Sequence, residues 1–151
     1  MAQAGLLDVM DEMADQIRTA LVAVTDVDVQ VEPRMVLNPT PPCIDIYPGD
    51  PPRDRDSAAF HPGDDEGYFI TVRARVSTAD NFAGQDLLLA FVDPTNDLSI
   101  GQALYDDTSL NGYANDLDIV AQTGYSLFPD PGGEGALLGC QWTVRVLPVT
   151  S

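Results

Sequence analysis

Residues 68–78 read YFITVRARVST, and their alternation decides the fold. Tyr68, Ile70, Val72, Ala74 and Val76 fall on one side of an extended chain. Phe69, Thr71, Arg73, Arg75 and Ser77 fall on the other. An apolar side and a polar side repeating every two residues predict a strand with one face against a core. The same period returns near the end of the chain, where Leu138, Cys140, Trp142, Val144 and Val146 face one way and Gln141, Thr143 and Arg145 the other. Between these two strands the pattern changes twice. Residues 80–92 (DNFAGQDLLLAFV) and 97–105 (DLSIGQALY) predict helices. Phe82, Leu87, Leu88, Ala90 and Phe91 belong to the first; Leu98, Ala103 and Leu104 point inward on the second, which Asp97 caps. Asn111-Gly112 marks a turn. Residues 117–128 resume strand character with a bulge at Gly124, and PDPGGEG at 129–135 is a turn into the last strand.

Towards the N-terminus, residues 4–24 predict an amphipathic helix. Leu6, Leu7, Met10, Met13, Ala14, Ile17, Leu21 and Val24 form its apolar stripe, with Asp8, Asp11, Glu12 and Asp15 opposite. Val27, Val29 and Val31 then alternate with Asp28, Gln30 and Glu32 as a strand that Pro33 ends, and a proline-rich link leads to a short strand at Cys43–Tyr47. The whole reads as one domain over residues 1–151. Its class is α+β: a mixed or antiparallel sheet of about five strands, with the N-terminal helix and the two central helices on one face.

That arrangement puts Arg73, Arg75 and Arg145 together on the face away from the helices, where Asp28, Glu32 and Asp45 also project. Charge-paired packing against another surface and a plain solvated face are both consistent with this. Residues 48–66 (PGDPPRDRDSAAFHPGDDE) have no period. A long acidic, proline-rich loop inside a domain is either solvated or ordered by a partner. Its Arg53, Asp54, Arg55, Asp56, Phe60, Asp64, Asp65 and Glu66 are candidates for contact with a neighbouring subunit or a channel.

The charge balance excludes whole classes of function. The chain carries 24 acids against seven arginines, with no lysine, one histidine and a net charge of -17. Such a protein repels a phosphate backbone, so nucleic-acid binding is not expected. No stretch approaches the roughly 20 apolar residues of a membrane span, and the acidic N-terminus does not read as a signal peptide. A cytoplasmic site of synthesis follows as the expectation. Cys43 and Cys140 fall on opposite phases of their strands and read as free thiols, with no disulfide.

Little in the sequence points to catalytic chemistry. His61 sits alone in the acidic loop, no serine or cysteine occupies a nucleophile elbow, and one histidine with two separated cysteines cannot build a zinc site. The loop carboxylates lack the spacing of a calcium-binding loop. Gly132, Gly133 and Gly135 precede a strand rather than a helix, so they shape a hairpin and do not cradle phosphate. No catalytic, metal or cofactor site is expected.

Four stretches carry a resemblance. They are LLDVMDEMADQIRTAL, TDVDVQVEPRMVLNPTPPCIDIYPGDP, FITVRARVSTADNFAGQDLLLAFVD and GYSLFPDPGGEGALLGCQWTVRVL. In order and wording they resemble the tail terminator proteins of long-tailed phages, especially those infecting actinobacteria. The resemblance covers most of the chain and implies a structural, non-enzymatic role without cofactors. Such a protein would form a ring, usually of six copies, on the end of the tail tube. The ring would stop addition of tube subunits and dock the head-side connector. The implied partners are further copies of the chain, the major tail tube protein and the head connector or stopper, at the neck of a virion assembled in the host cytoplasm. Six copies at -17 each would sum to roughly -100, a field that lets DNA pass without sticking. Another neck protein (a stopper or connector) and a small acidic inhibitory module are the alternatives.

Overall fold

A computed structural model describes residues 5–25, 27–49, 67–78, 82–129 and 136–149. The chain runs α1 (Leu6–Val22), β1 (Gln30–Glu32), β2 (Cys43–Pro48), β3 (Tyr68–Ser77), α2 (Phe82–Val92), α3 (Ile100–Tyr105), β4 (Ala114–Pro129) and β5 (Ala136–Pro148). The five strands form one sheet in the order β1-β2-β3-β5-β4. Only β1 and β2 are parallel; every other pair is antiparallel, so the sheet is mixed and the class is α+β.

Register explains the two faces. Ile44 lies beside Ala74, Ile46 beside Val72, Ile70 beside Val144, Val72 beside Trp142 and Ala74 beside Cys140. Because side chains alternate, these residues all project to the same side, and all are buried there. The helices cover that side. Val9, Met10, Met13, Ala14, Ile17 and Leu21 line the buried stripe of α1. Leu88 and Phe91 come from α2, and Ile100, Ala103 and Leu104 from α3. Each fully buried aliphatic or aromatic side chain contributes roughly 1.5–3 kcal/mol of transfer free energy. Gln16 ties the helix layer together: its Nε2 donates to the carbonyls of Ala103, Leu104 and Asp107, at the C-terminal end of α3. The Ala103 and Leu104 carbonyls lie in the last turn of α3, where a side-chain donor from α1 can serve them, and the Asp107 carbonyl just beyond also accepts from the Leu110 N–H.

Several expectations need correction. The inward stripe of α1 includes Val9, while Leu7 is 58% and Val24 47% exposed. Val9, Met13 and Ile17 recur every four residues and set the buried stripe of the helix. The first strand is only Gln30–Glu32, because its register with β2 extends over three residues and Val27 turns out of the sheet towards the Thr25 hydroxyl. Helix α3 begins at Ile100, not near Asp97. Its cap is Ser99, whose Oγ accepts from the Gln102 N–H at 3.2 Å, while Asn96 Oδ1 accepts from Leu98 in the preceding turn.

On α2, Phe82 is 67% exposed. Helix α2 passes so close to β3 that a side chain on Gly84 would run into the Ser77 carbonyl, and that contact fixes which side of the helix faces the sheet. The turn at Asn111-Gly112 is present, with positive φ at both residues. Strand β4 starts at Ala114 and shifts register between Thr123 and Ser126, around Gly124 as expected, and at two further places. The expected turn at 129–135 falls mainly on residues outside those described.

Candidate functional site

The face of the sheet away from the helices carries the charged residues of the strands, and strand register brings them together. Cys43 lies beside Arg75, and Asp45 beside Arg73. Asp45 is fully buried and holds both arginines. Arg73 grips it as a fork, Nε to Oδ1 at 3.0 Å and Nη2 to Oδ2 at 2.6 Å. Arg75 Nη2 reaches Oδ2 at 3.1 Å and also donates to the Val36 carbonyl at 2.9 Å. The Val36 N–H donates to Oδ2 at 2.9 Å. One carboxylate thus accepts four hydrogen bonds, three of them from guanidinium groups, which is the condition for a buried charge to be tolerated. The segment after β1 is drawn over the sheet by the two bonds to Val36.

Aromatic rings close the site from the other direction. The Arg73 guanidinium lies 5.0 Å from the Tyr47 ring centre and 5.6 Å from that of Phe128, both within cation–π range. Phe128 reaches this position because Gly139 leaves room: a side chain there would meet the Phe128 ring and the Ala74 carbonyl. Gln141 Nε2 donates to the Tyr47 hydroxyl at 3.1 Å. Burial lowers the proton affinity of Arg73, but the hydrogen bonds and charge of Asp45 outweigh it, and the net shift is upward. Burial and then the Asp45 charge push the Cys43 thiol up to about 11, against the opposing pull of Arg75. Cys43 is therefore a neutral thiol at ordinary pH, and not a nucleophile.

The expected cluster of Arg73, Arg75 and Arg145 divides. All three project to this face, Arg145 standing beside Phe69 and Asp118. Arg73 and Arg75 are committed to Asp45 within the chain. Arg145 is half-buried and in no ion pair among the described residues. At Arg73 and Arg75 the chain supplies its own carboxylate. The missing signal was the pairing register of β2 with β3, although an acid inside the run Cys-Ile-Asp-Ile-Tyr already marks a carboxylate that needs cations. Arg53, Asp54, Arg55, Asp56, Phe60, Asp64, Asp65 and Glu66 lie outside the described residues. Elsewhere, Arg18 pairs with Asp15 and Arg34 with Asp11, at the α1 surface. Cys43 and Cys140 are both buried and free, on opposite faces as expected.

The outer edge of β4 is a second candidate surface. Its inner edge pairs with β5 along the strand; no described strand pairs with the outer one. Helix α3 clips this edge at one point. The Tyr105 hydroxyl accepts from the Ile119 N–H at 2.8 Å and donates to Asp118 Oδ1 at 2.9 Å. Beyond that point residues 119–128 carry no charge, and Val120 and Leu127 are 47% and 68% exposed. Among the described residues no group of three or more histidines, cysteines or acids is placed to hold a metal ion. No described helix is long and apolar enough to cross a membrane.

A scan of protein-family models and a search of curated proteins found no match to the chain.

Proposed function

We propose that this protein is a structural ring subunit of the tail-terminator kind, capping the tail tube of a long-tailed phage and ending its polymerisation. The ring, of six copies, would stand at the neck of the virion and dock the head connector or stopper. It would let DNA through without binding it, and would use no cofactor or turnover. The sequence resemblance suggests the role. The observation that carries it is the open edge of β4. Copies bearing -17 each repel one another, so they associate best where the surface has no charge. Residues 119–128 supply an uncharged strand edge that no described strand covers, with two exposed apolar side chains, a template for pairing with another chain.

The test is sedimentation velocity and negative-stain microscopy of the purified protein, alone and with polymerising tail-tube subunits. Rings of about six copies and tubes of arrested length are the expected result. Replacing Val120 and Leu127 by lysine would abolish the rings without lowering the melting temperature. A protein that stays monomeric with tube subunits and leaves tube length unchanged would overturn the proposal. Capture of the head connector without the tube would reassign the protein to the stopper class.

A further inference from the structure

Helix α2 reads FAGQDLLLAFV, and Gln85 and Asp86 are its only polar side chains. A helix apolar nearly all round belongs in an interior, yet only Leu88 and Phe91 are buried. Phe82 and Leu89 stand 67% and 48% exposed. Seven residues carry a helix almost two full turns, so these two side chains lie one above the other on the outward face. Asp86 falls between them, and Asp93 continues the line just past the helix end. The outward stripe is therefore apolar, acidic, apolar, acidic.

Two hollows lie along the helix. One, of about 410 Å³, is bordered by Asp86, Leu89, Ala90 and Asp93. The other, of about 320 Å³, is apolar, with Val27, Pro42, Val76 and Leu87 among its walls. Asp93 accepts from the Thr95 N–H at 2.9 Å and from its hydroxyl at 2.8 Å, and these bonds hold its carboxyl below the ordinary carboxylate range. Among the described residues, no basic side chain borders either hollow.

We infer that the outward face of α2 is a docking site for a basic amphipathic helix of a different protein, carrying apolar side chains one heptad apart with arginine or lysine between them. Charge complementarity selects this occupant. Apolar anchors pack on Phe82 and fill the hollow that Leu89 borders, and cations meet Asp86 and Asp93, the arrangement of a helix laid in a groove. None of the described helices of a second copy fits: α2 and α3 contain no basic residue, and Arg18 of α1 is paired with Asp15. The inference rests on α2 alone and stands whether or not the ring forms.

The experiment is fluorescence anisotropy at about 0.15 M salt with three synthetic peptides of roughly 18 residues, five turns of helix. One has leucine at heptad spacing with arginine between, one has glutamate in place of arginine, and one is a shuffled version of the first. The patterned leucine/arginine peptide would bind at least about tenfold tighter than the shuffled one. Phe82→Ser with Leu89→Ser would remove that advantage, while Leu7→Ser, an exposed site on α1, would not. Asp86→Lys would weaken the arginine peptide and strengthen the glutamate one, a reversal that an unfolded variant cannot produce. Equal binding of patterned and shuffled peptides would overturn the inference. So would indifference to the α2 substitutions, or a dimer that dissociates when Phe82 and Leu89 are replaced.

Discussion

The two faces of the sheet are held by opposite chemistry. On the helix side Ile44, Ile46, Ile70, Val72, Trp142 and Val144 meet the apolar stripes of three helices, and each contributes in proportion to the area it buries. On the other side Asp45 sits wholly out of water and is tolerated only because Arg73, Arg75 and Val36 direct four donors at it. Area is non-directional and forgiving: a lost methyl group costs what that methyl was worth. A buried carboxylate between two guanidinium groups is neither, because removing one member leaves the others charged and dry. The first face should respond to mutation in small steps, the second as a unit.

The largest effect is expected from Asp45→Asn. It removes the only described carboxylate that Arg75 contacts, and Arg75 is 4% exposed. The loss of stability in urea should be about 3–5 kcal/mol. The comparison sharpens if Asp45→Leu, Arg73→Met and Arg75→Met are combined, since apolar groups of similar size often replace a buried ion cluster at little cost. The triple variant should be markedly more stable than Asp45→Asn alone. A loss below about 1 kcal/mol for the single change would place Asp45 with ordinary surface ion pairs and break the comparison.

Next in size is Arg73→Lys, which keeps the charge. An ammonium cannot reproduce the two-pronged contact with Asp45, nor lie flat between Tyr47 and Phe128. A cost of about 1.5–3 kcal/mol is expected from the loss of charge-assisted bonds. Retention of full stability would mean that charge alone, without the fork, holds this face.

How much of this contrast the sequence discloses depends on which spacing carries it. The covered face was legible because β3 and β5 alternate without interruption from Tyr68 to Val76 and from Leu138 to Val146. The gathering of Arg73, Arg75 and Arg145 on the far face follows from the same alternation. What alternation cannot supply is register between strands, so the grip of one Asp45 on both Arg73 and Arg75 was out of reach. Helix α2 hid its orientation for a different reason. With apolar residues at 82, 83 and 87–92 no narrow stripe stands out, and the close pass of Gly84 by Ser77 selects the buried side. The candidate loop residues at 53–66 had only composition to go on, and composition does not locate a contact.

The graded face is tested by Ile70→Val, which deletes one methylene from a fully buried side chain. A cost of about 0.5–1.5 kcal/mol is expected. Combining it with Arg73→Lys asks whether the faces are independent. Costs that add to within about 0.5 kcal/mol mean that they are, whereas a larger coupling means that strain passes through the shared strand β3.

The smallest effect at neutral pH, and the one that isolates the polar face by titration, concerns Cys43. The unfolded thiol ionises near 9.0, whereas burial and Asp45 raise the folded thiol to about 11. A raised folded value means that the native state keeps its proton over a range in which the unfolded chain releases it. The associated stability is complete below pH 9 and is lost as the pH rises through 11. Tyr47 and Cys140 are shifted upward too, burial being the largest cause for each, so the wild-type protein should lose stability on the alkaline side by their joint action. Cys43→Ser removes one titrating group and leaves the rest. Urea melts at pH 7 and pH 10.5 should therefore show a smaller alkaline loss in the variant than in the wild type. Equal losses would mean that the Cys43 thiol ionises no less readily folded than unfolded, and that the Arg75 cation beside it governs the site more strongly than burial does.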